Sequence, residues 1–363
     1  MTKCAMLLLE DGSIYEGQSF GATENACGEV VFNTSMSGYQ EMLTDPANHR
    51  QIVISTYPLV GNYGTNEYDN ESIRACSSGL AVHECCDEPN HYQNQKSLHA
   101  YLAENGIPGI SGIDTRAITR KLRNHGTMMG VLTSSLTPNE AAELLSNTPR
   151  YDSVDFTKEV STKDVYLYEQ ISENAHYEIT IVDLGAKNSL AHLLSQLDCR
   201  VTVVPCDTSA KEILAQNPDG ILLSSGPGNP DVLDHIVYNI RGLIGFKPLL
   251  GIGLGHQLLA RAFGGKTFKL KFGHRGANQP VKDLETGCVY VTSQNHGFAV
   301  DPDSLQGNLA VSHINLNDNT VEGLCHKELP IFSTQYAPES TFCFPDGRKI
   351  FEKFVSMVSQ AKQ

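Results

Sequence analysis

Glycine stands at Gly251, Gly253 and Gly255 within the run PLLGIGLGHQLLARAF. A strand that enters a sharp turn and then a helix, with glycines spaced G-x-G-x-G, is the layout of a nucleophile elbow. The middle residue of such a turn should carry a serine or cysteine, and here it is Gly253, which has no side chain. The N–H of Leu254 follows the turn and is placed to meet an oxyanion above the strand ends. Three other segments have the composition of site loops. In SSGPGNP (224–230), Gly226 and Gly228 let the backbone turn tightly and present N–H groups to a carboxylate or oxyanion. STQYAPES (333–340) ends a strand and carries Glu339 just after a proline, and SQNHGF (293–298) offers Asn295, His296 and the backbone of Gly297. Each has a plain alternative: a Gly-Pro loop, a solvated turn glutamate, a structural histidine. His256 reads as a packing or capping residue. A metal site drawn from His256, His274, His296 and Glu339 matches no zinc spacing, so no metal is expected.

These segments need a scaffold. From Tyr177 onward, apolar runs alternate with helical patterns: YEITIVD with SLAHLLSQL, CRVTVVP with SAKEILAQN, GILLSS with DVLDHIVYNIRGLI, PLLGI with HQLLARAF. Such alternation predicts βαβ units and a mostly parallel sheet flanked by helices on both faces. Ligands of such sheets sit at the carboxyl ends of the strands, where the loops above begin. The β-type runs CVYVTSQ, LAVSHIN, VEGLCH and PIFSTQ follow, then a closing helix, KIFEKFVSMVSQ. Residues 1–149 read differently, as an α+β domain. LLLEDGSIYEG predicts a hairpin through Asp11-Gly12, and SLHAYLAENG, DTRAITRKLRNHG and TPNEAAELLSN predict helices. The polar, weakly patterned stretch 150–176 reads as a linker, so the expected division is 1–149, 150–176 and 177–363.

Composition excludes several classes of function. The chain has 363 residues and a formal net charge of -14, which argues against a general binder of nucleic acid or of a membrane surface. No apolar stretch has transmembrane length, and the first apolar run passes straight into Glu10 and Asp11, unlike a signal peptide. The ten cysteines form no C-x-x-C, which fits reduced thiols and a cytoplasmic location.

Taken together, GIGLGHQ, SSGPGNP, QNHGF and QYAPES resemble the four signatures of a triad-type (class I) glutamine amidotransferase domain. GEVVFNTSMSGYQEMLTDP (28–46), ISTYPLVGNYG, GIDTRAITRKLR and GHRGANQPV (273–281) narrow the resemblance to the small subunit of carbamoyl-phosphate synthetase, over nearly the whole chain. That family implies hydrolysis of glutamine and passage of ammonia to a large, ATP-using subunit. The large subunit makes carbamoyl phosphate for arginine and pyrimidines. The chemistry uses a cysteine thiolate, a histidine that shuttles the proton and a carboxylate that orients it, written G-x-C-x-G-H-Q and Q-x-H-P-E.

At the cysteine position this sequence has Gly253, and at the histidine position Ala337; only the carboxylate, Glu339, remains. Ala47 stands where the family carries a serine that reaches the glutamine. The substrate-side positions Gly226, Gly228, Leu254, Gln257, Asn295, Gly297 and Phe298 all match. Cys206, at the end of another strand, is a possible but unaccompanied substitute thiol. The resemblance therefore implies a folded small subunit with a preserved pocket and no glutaminase, acting as the structural or regulatory partner of a large synthetase subunit in a hetero-oligomer. It implies no cofactor in this chain, ATP and Mg belonging to the large subunit. The alternatives are a sensor that binds glutamine or another amino acid without cleaving it, and an enzyme with altered chemistry that uses Glu339 as a base.

Overall fold

The computed structural model describes residues 3–168, 175–340 and 346–362. The chain divides into two compact units, Met1–Val154 and Asp155–Gln363. The strands of the first unit are β1 (Cys4–Leu9), β2 (Ile14–Gly21), β3 (Ala26–Asn33), β4 (Gln51–Ser55), β5 (Leu59–Val60), β6 (Gly79–Ala81), β7 (Glu84–Cys85), β8 (Pro108–Ser111) and β9 (Met128–Thr133). Its α-helices are α1 (Tyr39–Thr44), α2 (Leu98–Glu104), α3 (Thr115–His125) and α4 (Pro138–Asn147). The expected hairpin joins β1 to β2, with Leu8 opposite Ile14 and Gly12 at φ 83° in the turn. Asp114 caps α3 through the Ala117 N–H, and Thr137 with Glu140 forms a capping box on α4. Beyond the α+β reading, seven of the strands close into a barrel, in the order β1-β2-β8-β6-β4-β3-β9. Leu7, Leu9, Ile52, Ile54, Leu80 and Ile110 are among its fully buried side chains.

The second unit begins with α5 (Thr157–Val160) and β10 (Tyr166–Leu167). It continues through β11 (Tyr177–Asp183), α6 (Asn188–Ser195), β12 (Cys199–Pro205), α7 (Ala210–Ala215), β13 (Gly220–Leu223), α8 (Asp234–Arg241), β14 (Leu249–Ile252) and α9 (Leu254–Ala262). It ends with β15 (Thr267–Asp283), β16 (Val289–Val300), β17 (Leu309–Asn315), β18 (Val321–His326), β19 (Ile331–Thr334) and α10 (Arg348–Lys362). One sheet runs β10-β12-β11-β13-β14-β19-β18-β17-β15-β16. The five strands from β12 to β19 are parallel, as the βαβ pattern predicts; β18, β17, β15 and β16 extend them antiparallel.

Both faces of the parallel part are buried, because successive side chains on a strand point to opposite sides. On one face Val182, Ile221, Leu223 and Leu249 pack with Ile213, Ile236, Ile240, Leu258 and Leu259 of α7, α8 and α9. On the other, Ile179, Ile181, Leu222 and Leu250 pack with Leu190 and Leu194 of α6 and Phe351, Phe354 and Val358 of α10. The stretch read as a linker contributes α5 and β10, and β10 pairs antiparallel with β12 at one margin of the sheet. Residues 169–174 of that stretch lie outside the described residues. Among the described residues no helix is long and apolar enough to cross a membrane.

Candidate active site

Four adjacent parallel strands, β11, β13, β14 and β19, deliver their carboxyl ends side by side. Strand β14 ends at Ile252, and Gly253 turns the chain at φ 57° and ψ −111° directly into α9. That backbone is strained for any residue with a Cβ. The turn is locked from both sides: Gly253 N–H donates to the Thr334 carbonyl at 2.9 Å and Gly255 N–H to the Ser224 carbonyl at 3.0 Å. Gly255 is needed for close approach, since a Cβ there would lie 2.3 Å from the Leu223 carbonyl oxygen. A Cβ at Gly253 would press on Ser225 Cβ at 3.1 Å, with the Gln335 carbonyl oxygen at 3.9 Å. The elbow is present in full, and it has no nucleophile.

The loop after β13 passes beside it. At Gly226 a Cβ would fall 2.1 Å from the Leu184 carbonyl oxygen and 3.0 Å from Leu254 Cδ2, so the SSGPGNP loop, the β11 end and the elbow touch. Gly228 sits at φ 95°. Leu254 is buried and opens α9, where the first N–H groups have no partner within the helix. One turn on, Gln257 Nε2 donates to the Phe298 carbonyl at 2.8 Å and to Gln335 Oε1 at 2.9 Å. The elbow helix, β16 and the β19 end are thereby tied together. Asn295 and Gly297 lie on the same stretch of β16, facing Arg275 of β15. Ala47 belongs to the other unit, in a short turn where its N–H donates to Asp45 Oδ1 at 2.9 Å.

The end of β19 supplies the rest. Ala337 N–H donates to the Ser293 carbonyl at 2.9 Å, which fixes its buried methyl beside β16. Two residues later Glu339 is fully buried, with Oε1 3.1 Å from Lys187 Nζ. Lys187 comes from the loop after β11, and sequence reasoning missed it. The signal was available: LGAKN places a cation just past a strand's carboxyl end. Three buried polar atoms in this region have no hydrogen-bond partner among the described residues: Glu339 Oε2, Gln335 Nε2 and His256 Nε2. Buried groups of this kind normally find partners. His256 is a packed residue, as expected. Its Nδ1 is 2.8 Å from Ser333 Oγ, and burial holds its pKa down at about 3. Cys206 stands apart from the elbow. It lies at the end of β12, separated from β14 by β11 and β13, and burial pushes its thiol pKa up.

The paired strands β15 and β16 join two segments that the sequence keeps apart, with His274 opposite His296. His274, His296 and Glu322 each bring one ligand-type atom within 4.8 Å of the others. His274 Nε2 is 2.9 Å from Asp318 Oδ2 and its Nδ1 is 3.5 Å from Glu322 Oε1, to which Asn315 also donates. Burial disfavours the charge, but the hydrogen bonds to Asp318 and Glu322 outweigh it and raise His274 to about 9. Burial and the His274 charge keep His296 neutral, with its pKa well below the usual value. The unfolded-state value for histidine is about 6.5. The stabilisation from His274 is therefore complete below about pH 6.5 and is lost as pH rises through about 9. Melting curves across that window should show a loss on the order of 2 kcal/mol that a His274→Gln variant does not show. An identical slope in the variant would remove His274 as its source.

A family model described as "Carbamoyl-phosphate synthase small chain, CPSase domain" matches residues 7–132. One described as "Glutamine amidotransferase class-I" matches residues 180–357. The chain is 47% identical over 366 residues to the carbamoyl phosphate synthase small chain of Akkermansia muciniphila, covering 99% of this chain and 98% of that protein. It is 48% identical over 365 residues to the same protein of Staphylococcus epidermidis (98% and 96% covered), and 48% identical over 361 residues to that of Listeria monocytogenes (99% and 98% covered). With both units matched and the elbow framework complete around Gly253, the chain belongs to the carbamoyl phosphate synthase small chain family.

Proposed function

We propose that this small chain no longer hydrolyses glutamine and serves as a structural or regulatory partner of a large synthetase subunit in carbamoyl phosphate formation. The observation that carries this reading is the elbow itself, complete in its backbone with Gly253 at its apex, next to a buried Glu339 whose neighbour at the base position is Ala337. Without a thiol no acyl-enzyme forms. Direct attack by water needs a general base, and Glu339 is held by Lys187. Activity falls by orders of magnitude when one member of such a unit is lost, and losing a second adds little further loss. ATP and Mg belong to the chemistry of the large subunit in this reading, and this chain contributes surface and shape.

The test is a co-purification with a large synthetase subunit, followed by carbamoyl phosphate synthesis from ammonia and from glutamine. The expected result is a stable complex that uses ammonia and releases no glutamate from glutamine. Thiol-sensitive glutamate release, or failure to bind any large subunit, would overturn the reading. A second reading, an amino-acid sensor, draws on the SSGPGNP loop, whose Gly226 packs against the elbow and whose Gly228 sits at positive φ, together with Gln257 and Asn295. Calorimetry with glutamine and glutamate decides it, and absence of heat for both sinks it.

A further inference from the structure

We propose that His274, His296, Glu322 and Gln294 hold one divalent cation of the zinc class, in a four-ligand structural site drawn from β15, β16 and β18. The site does not depend on the elbow being silent. Local spacing in the sequence does not announce it, because the ligands come from three strands.

Acceptors outnumber donors here. Thr292 Oγ1 donates to the Gln279 carbonyl at 3.0 Å, so it takes the Gln294 Nε2–H at 3.1 Å. The amide is thereby fixed with Gln294 Oε1 toward His296 Nε2, 3.0 Å away. The other ring nitrogen, Nδ1, lies 2.8 Å from the Phe298 carbonyl. His296 thus faces an acceptor on each side, and burial keeps it neutral. A neutral imidazole has one N–H, so one of these contacts sets lone pair against lone pair. Glu322 adds a second unmet acceptor. Its Oε1 receives Asn315 Nδ2 at 3.0 Å, while Oε2 is buried with no hydrogen-bond partner among the described residues. A proton on His274 Nδ1, 3.5 Å from Glu322 Oε1, answers neither need. A cation answers both, and His274, His296 and Glu322 converge closely enough to share one. The separations suit a small ion. Bonds of about 2.0–2.1 Å in a tetrahedron put ligand atoms about 3.3 Å apart. His274 Nδ1 and Glu322 Oε1 stand 3.5 Å apart, His296 Nε2 and Gln294 Oε1 3.0 Å. Outer bonds turn both lone pairs inward, as is usual around a metal: Asp318 Oδ2 takes the Nε2–H of His274 at 2.9 Å, and the Phe298 carbonyl takes the Nδ1–H of His296. Two imidazoles with two oxygens favour zinc, cobalt or nickel over magnesium and calcium, which take oxygen ligands. Four protein ligands leave no open position, which makes the site structural. Binding releases the proton that His274 Nδ1 carries in the metal-free chain, so metal and proton compete for one place.

The test strips the full-length chain with a chelator and titrates it with zinc chloride, and separately with cobalt chloride, at about pH 8. Equilibrium dialysis with elemental analysis should give about one zinc per chain, with a Kd of about 1 µM or tighter. Cobalt should give the strong visible absorption of a tetrahedral ion. Glu322→Gln removes the charged ligand while keeping an oxygen for Asn315, and should weaken zinc binding about a hundredfold or more. Asp318→Asn loosens only the outer bond to His274 and should weaken it about tenfold. The zinc-loaded parent should melt higher than the stripped chain, a gain that Glu322→Gln lacks. If Glu322→Gln does not fold, Asp318→Asn and the cobalt spectrum of the parent decide. No stoichiometric binding, a six-coordinate cobalt spectrum, or an affinity indifferent to both substitutions overturns the site.

Discussion

Placing cysteine at 253 and histidine at 337 together should switch on glutamine hydrolysis, by about a thousandfold or more over the parent chain, while either change alone leaves it off. The framework for the reaction is already in place. The elbow turn has its strained geometry, α9 begins at Leu254, and Glu339 waits with Oε2 unpartnered two residues from position 337. A histidine there would give that oxygen a donor and set the imidazole between the carboxylate and the new thiol. The cysteine would arrive at φ 57°, with its Cβ about 3.1 Å from Ser225 Cβ. That strain costs about 1–3 kcal/mol, so the revived chain should melt several degrees lower than the parent. Steady-state glutamate release by the two single variants and the double variant checks the expectation. A folded but silent double variant would show that the framework has drifted in ways the backbone does not reveal.

Lys187→Met should destabilise the chain by about 3–5 kcal/mol, because it strands a carboxylate that is 1% exposed. Lys187→Met combined with Glu339→Gln should recover most of that loss, since the second change removes the charge left behind. The pair is thus costly to break and cheap to remove together, as buried ion pairs generally are. Denaturant titrations of the parent, both singles and the double close the cycle. A cost below about 1 kcal/mol for Lys187→Met would mean that the pair is well hydrated, and the buried description of Glu339 would fail with it.

Much of the second unit could be read from the chain, because its strands are continuous apolar runs separated by helices with clear periodicity. YEITIVD, CRVTVVP, GILLSS and PLLGI became β11, β12, β13 and β14 with little displacement. The elbow, the SSGPGNP loop and the Glu339 loop were legible for the same reason: each directly follows a strand. What escaped was long-range. That β1 and β9 meet and close a barrel depends on pairings across the whole first unit, which no local pattern encodes. Lys187 joins Glu339 across 152 residues of sequence, so its role appears only once β11 and β19 share a sheet. The network of His274, Asp318 and Glu322 likewise depends on strands assembled from distant segments. Gln257 illustrates both sides. Its place one turn after the elbow was readable, but its bonds to Phe298 and Gln335 were not.

The short strand β10 has a consequence for the chain's behaviour in solution. It lies along the outer side of β12 for only two residues, Tyr166 and Leu167, and ends the parallel sheet there. An uncovered β12 would present CRVTVVP, rich in β-branched residues, as a ladder of open hydrogen bonds, the kind of template on which chains stack edge to edge. A fragment trimmed to begin at Tyr177 loses those pairings and leaves the outer edge of β12 fully open, so it should associate more readily than the full chain, which sedimentation of the two checks.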